Sequence, residues 1–149
     1  MSLTVQNYVA RVTEKKAQDL LDAAVAVPED KHAWQPQEKG RTVIDQIAEC
    51  AVINRMAIKM LQEHAWDTAG REQRQRDRAA LDTLEKARAS LQENTSALVE
   101  AIRAVPDDQL DRELKLPWGM STVADALLVP YWNMCYHEGQ ISYIHTLIE

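Results

Sequence analysis

Between Val43 and Leu61 the chain places Val43, Ile44, Ile47, Ala48, Ala51, Val52, Ile53, Met56, Ile58, Met60 and Leu61. At about 100° per residue these cover nearly every side of a helix, and a helix that is apolar all round is stable only when other elements cover it. The segment is therefore expected to be a central helix of a bundle. Thr42 is placed to cap its start, with Asp45 three residues on, a variant of the capping box that sets a negative charge at the positive end of the helix dipole. One residue breaks the pattern. Glu49 lies within about 60° of Val52, Ile53, Met56 and Met60 on the helical wheel, so its carboxylate enters apolar surroundings.

Three further helices are expected around this one. From Thr4 to Val27, Val5, Tyr8, Val9, Val12, Leu20, Leu21, Ala24 and Val27 recur at three- and four-residue steps. Pro28 stops that helix, and Trp34, Pro36 and Gly40 mark an ordered loop. The polar stretch from Trp66 to Arg76, with Gly70, reads as a connection crossing from one end of the bundle to the other. A third helix is expected from about Asp77 to Val105, and a fourth from Ser121 or Thr122 to the end of the sequence. Pro130 should bend that last helix, and Gly139 suggests close approach of another backbone. Two short stretches recur: Pro106-Asp-Asp-Gln-Leu110 echoes Pro28-Glu-Asp-Lys-His32, and Thr122-Val-Ala-Asp125 echoes Thr42-Val-Ile-Asp45. The chain reads as two helix-loop-helix halves, as in a four-helix bundle with one long crossover.

A length of 149 residues suits one domain, residues 1–149, with a core large enough to need neither metal nor disulfide to fold. Four Gly and five Pro favour long helices, so the class is all-α. The net charge of −6, and a basic run limited to Arg71–Arg78, argue against nucleic acid as a partner. No apolar stretch nears the roughly 20 residues of a membrane span, and Met1-Ser-Leu-Thr does not open a signal peptide, which points to the cytoplasm and to no membrane partner. Cys50 and Cys135 are too few for a disulfide framework and read as small buried hydrophobes.

The unusual chemistry is concentrated in Tyr131-Trp-Asn-Met-Cys-Tyr-His-Glu-Gly-Gln-Ile-Ser-Tyr-Ile144. On a helix, His137 shares a stripe with Ala126, Pro130, Asn133, Ile141, Ile144 and Ile148. A histidine and an asparagine on such a face point inward and require polar partners. Glu49, near the middle of another apolar helix, is the candidate partner. His32, His64 and His145 are expected to be solvated or packed. Trp132 and Tyr136 are candidate pocket walls.

The His137-Glu-Gly-Gln-Ile141 ending, with Trp34-Gln-Pro36 and the Thr42 helix start, resembles the DinB/YfiT-like family of metal-binding four-helix bundles. The resemblance implies a DinB-like four-helix bundle with a long crossover between helices two and three. It also implies three metal ligands, which carry over to Glu49, Asn133 and His137; the family has histidine at all three, so two are changed here. A carboxylate replaces imidazole well for Zn²⁺ or Ni²⁺, whereas the neutral Asn133 amide is a poor ligand, so any divalent metal should be held at low occupancy. By the same resemblance the chain would be a metal-dependent transferase or hydrolase using a low-molecular-weight thiol or another small molecule, and a homodimer. The residues alone support a second reading: Glu49, Asn133 and His137 as a buried hydrogen-bonded cluster without metal, serving small-ligand binding or structure. No catalytic residue follows from either reading.

Overall fold

In a computed structural model, which describes residues 2–66 and 70–149, six helices and one hairpin follow in order. They are α1 (Val5–Ala26), α2 (Val43–Glu63), α3 (Arg71–Ala79), α4 (Leu84–Arg103), the strands β1 (Glu113–Leu116) and β2 (Gly119–Thr122), α5 (Val123–Ala126) and α6 (Val129–Ile148). Threonines set the helix starts. The hydroxyls of Thr4, Thr42, Thr83 and Thr122 accept from the backbone N–H three residues on, at 3.1, 3.0, 3.2 and 3.2 Å, satisfying donors that a helix start leaves open.

The four long helices form the bundle: α1 and α2 each pack against both α4 and α6. One core cluster joins the end of α1 (Leu20, Leu21, Ala24) to the start of α2 (Val43, Ile47), the start of α4 (Leu91) and the latter half of α6 (Ile141, Ile144). The other joins Val9 and Ala10 of α1 to Met60 and Leu61 of α2, to Leu98 and Ile102 of α4, and to Leu127 and Val129 at the start of α6. It follows that α2 and α4 run in the same direction, opposed by α1 and α6, and that α3 belongs to the connection returning from one end of the bundle to the other. Between the clusters the helices place polar residues: Thr13 on α1, Asn54 on α2 and Thr95 on α4 are all buried, and the Asn54 amide donates to Thr95 Oγ1 at 3.0 Å.

Several expected boundaries are corrected. The third helix does not run unbroken from Asp77: α3 already begins at Arg71, inside the stretch expected to be a plain connection, and a break at Ala80–Thr83 precedes α4. The cause is local, since the Thr83 hydroxyl takes the Lys86 N–H and starts a new helix. Ser121 and Thr122 are strand, not helix, and the class is mostly helical with one small hairpin. Leu114 and Leu116 alternate with exposed Glu113 and Lys115, and Gly119 (φ 137°) supplies the turn conformation that a side chain disfavours. Pro130 causes no mid-helix bend because it sits in the first turn of α6, where its missing N–H has no helical partner to lose. Among the described residues nothing outside its own helix lies within 4 Å of a Cβ built at Gly139, so no second helix backbone approaches it.

The two echoed stretches fold alike. Each proline is followed by one 3₁₀ turn, Glu29–Lys31 and Asp107–Gln109. In the first half His32 O accepts from Ile44 N at 3.3 Å; in the second, Leu110 O accepts from Ala124 N at 3.0 Å. Both bonds tie the loop back to the first turn of the helix that follows.

Leu98→Ala, fully buried in the second cluster, should lower stability by about 3 kcal/mol. Thr122→Ala should cost about 1 kcal/mol through its cap, and Leu3→Ala, at 64% exposure, under about 0.5 kcal/mol. Urea denaturation midpoints check the ranking.

Candidate functional site

The first two turns of α2 place Asp45, Gln46 and Glu49 toward α6 and α3. His137 comes from α6 and is 1% exposed. Its Nδ1 lies 2.7 Å from Gln46 Oε1, and its Nε2 faces Glu49 Oε1 at 3.4 Å. The other Glu49 oxygen, Oε2, pairs with Arg41 Nη1 and with Arg78 Nη1 at 3.3 Å. Both arginines also hold Asp45: Arg41 Nε at 2.7 Å from Oδ2 and Arg78 Nε at 2.9 Å from Oδ1. One network thus links the segment before α2, the first turns of α2, the end of α3 and the middle of α6.

Burial alone would raise the Glu49 pKa. The His137 contact and the Arg41 charge outweigh it and lower the carboxyl from 4.5 to about 2. Beside it, burial pushes the Cys50 thiol well above its ordinary value, which leaves no thiolate nucleophile there. A small cleft of about 100 Å³ opens next to Glu49, lined by Val52, Ile53, Arg74 and Arg78.

The structure brings Glu49 and His137 together and leaves Asn133 out. The Asn133 amide donates to Cys50 Sγ at 3.6 Å, and Gln46 takes the place beside His137 that the expected triad gave to Asn133. Glu49 is not in purely apolar surroundings, because two arginines reach it. Trp132 and Tyr136 do not line the cleft beside Glu49: they are 50% and 62% exposed, and Tyr136 sets its ring edge to face against the His137 imidazole at 5.1 Å. His32 bonds Val27 O, His64 contacts Arg112 and His145 faces Glu149, all away from the site. Arg41, Gln46 and Arg78 escaped the sequence reading. For Arg41 a signal existed, since it stands four residues before Asp45, the spacing of helical ion pairs.

The profile of the DinB superfamily matches residues 13–141. The chain belongs to the DinB superfamily. No curated protein sequence matches it. Among solved structures, the fold is similar to that of "YfiT from Bacillus subtilis", described as "a probable metal-dependent hydrolase with an unusual four-helix bundle topology" (TM-score 0.76, 16% identity, covering 99% of this chain and 90% of that one). It is also similar to a mycothiol-dependent maleylpyruvate isomerase (TM-score 0.75, 14% identity, 93% of this chain), of whose length it spans 61%.

A divalent metal is the group that the description of YfiT as a probable metal-dependent hydrolase raises, and the residues present here do not fit it. Among the described residues no three His, Cys, Asp or Glu side chains are grouped to hold an ion. A 3.4 Å separation of Nε2 and Oε1 could flank a metal, but protein zinc sites supply three or four donors and here there are two. The carboxylate is moreover already neutralised by two guanidinium groups, whose charges repel a cation.

Glu49→Gln should destabilise this DinB bundle by on the order of 2 kcal/mol near pH 7, because it strands arginine charge in a half-buried network. The sign with pH follows from the lowered pKa. The Glu49 contribution is present above the unfolded value of 4.5 and is lost as pH falls toward about 2. The difference in unfolding free energy between parent and variant should therefore shrink across that window, as measured by denaturation at a series of pH values.

Proposed function

We propose that this chain is a metal-free member of the superfamily, a single domain acting in the cytoplasm, in which the Glu49–His137 cluster serves small-molecule binding and structure in place of metal catalysis. The observation that carries the reading is the occupation of Glu49: Arg41 and Arg78 on one oxygen, His137 on the other. A carboxylate so neutralised is a stable element of a half-buried network and a poor metal ligand. Cys50, the thiol beside it, is pushed well above its ordinary value by burial and is no activated nucleophile.

A second reading, a metal-dependent transferase or hydrolase working with a low-molecular-weight thiol, draws on one feature. Gln46 Oε1 on His137 Nδ1 is the kind of contact that metal-bound imidazoles make with their outer nitrogen. That reading requires Arg41 and Arg78 to leave Glu49.

Elemental analysis separates the two. Purified protein, also after soaking in Zn²⁺ or Ni²⁺, should hold well under one metal per chain, and thiol transfer with low-molecular-weight thiols should not respond to added metal. Stoichiometric metal that disappears in His137→Ala would overturn the metal-free reading.

The α6 surface supports self-association. Trp132, Tyr136, Tyr143 and Leu147 are 49–64% exposed and, at four-, seven- and four-residue steps, form one stripe around the open Gly139. Aromatic residues grouped on an exposed face mark interfaces, and a bare glycine lets two helices approach closely. Light scattering should give about twice the chain mass, falling to one chain in Tyr143→Arg; a single-chain mass for the parent at high concentration rejects the dimer.

A further inference from the structure

The cleft beside Glu49 has polar capacity that the network leaves unused. α3 packs on α2 and brings Arg74 and Arg78, one helical turn apart, to the cleft lined by Glu49, Val52 and Ile53. Arg78 is committed to Asp45 and Glu49. Half-buried Arg74 makes no side-chain hydrogen bond or ion pair among the described residues. Glu49 has its acceptors directed at Arg41, Arg78 and His137. The group still unpartnered is therefore a donor. Three guanidinium charges, Arg41, Arg74 and Arg78, stand against two carboxylates, Asp45 and Glu49, which leaves one positive charge in excess at the cleft.

We propose that this cleft binds the carboxylate of a short aliphatic acid, with its oxygens on Arg74 and the cleft side of Arg78 and its alkyl chain against Val52 and Ile53. Planar guanidinium donors match a carboxylate, and a partly dehydrated site strengthens the bond. The size agrees. A space of about 100 Å³ accepts roughly three water-sized groups, at about 30 Å³ for each water in the liquid, enough for a carboxylate and a few carbons. A cation is disfavoured by the excess positive charge, and a multiply charged oxyanion by the nearby Glu49 and by the apolar side of the cleft. The proposal rests on the metal-free reading in one respect: Glu49 must stay paired with arginine.

The test is a titration with sodium butyrate at constant ionic strength, followed by the ¹⁵N–¹H resonances of the arginine Nε groups. Butyrate should move the Arg74 and Arg78 signals saturably, whereas butyramide, of the same shape without charge, should not. Arg74→Gln should weaken binding about tenfold, the worth of a hydrogen bond to a charged group, and Arg74→Lys should recover part of it. Among the described residues Arg74 makes no other side-chain hydrogen bond or ion pair, so these variants should fold with a nearly unchanged unfolding midpoint. Butyrate shifts that persist unweakened in Arg74→Gln, or inorganic phosphate binding more tightly than butyrate, would overturn the short-acid site. Metal content measured on the same sample distinguishes the failures: metal-free protein without a butyrate response defeats this inference alone, while stoichiometric metal on His137 without a response defeats the reading beneath it as well.

Discussion

A carboxylate set into the covered side of α2 has to be neutralised, and much of the local architecture follows from how this is done. Glu49 cannot reach bulk water freely, so it draws Arg41 from the segment before its own helix and Arg78 from α3. Each arginine then needs a second acceptor for its remaining donors, and Asp45, one turn before Glu49, supplies both. The same Asp45 fills the first turn of α2, where its charge suits the helix dipole. Helix start, ion-pair network and the docking of α3 are thus solved by two acids four residues apart.

The His137 side of the network is built differently. Its imidazole is shut away almost completely and is met by an amide, Gln46, instead of a second charge. An amide can offer either its oxygen or its nitrogen to the ring, so it can partner an imidazole nitrogen as acceptor or as donor. Arginine on one oxygen of Glu49 and imidazole on the other make this carboxylate a junction between the half-exposed α3 side and the closed interior of the bundle.

Most of the bundle was legible because its signals are repetitive. The all-round apolar run of α2, the Thr42 cap and the paired Pro-acid turns each state a geometry within a few residues, and Glu49 and His137 stand out as polar residues on apolar faces. What stayed hidden depended on single residues or on distance in the chain. The hairpin rests on only four alternating residues, Glu113 to Leu116, too short a run to stand out as a strand between two long helices. The start of a new helix at Thr83 turned on one hydroxyl inside an otherwise continuous apolar line. Arg78 looked like part of a solvated basic run, and nothing local to it announces Glu49, 29 residues away. Asn133 was assigned from position on a stripe; one helical turn along α6 was enough to move it from His137 to Cys50.

The polar layer of Thr13, Asn54 and Thr95 bears on how uniquely the bundle can assemble. Apolar helices of similar shape can slide past one another by a turn at little cost, since one layer of aliphatic side chains resembles the next. Here a one-turn slip of α2 against α4 would carry the Asn54 amide from Thr95 into a layer of leucine, stranding a buried donor. The layer thereby acts as a registration mark. It gives up some apolar contact at mid-bundle and in return makes the native alignment of two parallel helices the one that leaves this amide nitrogen bonded.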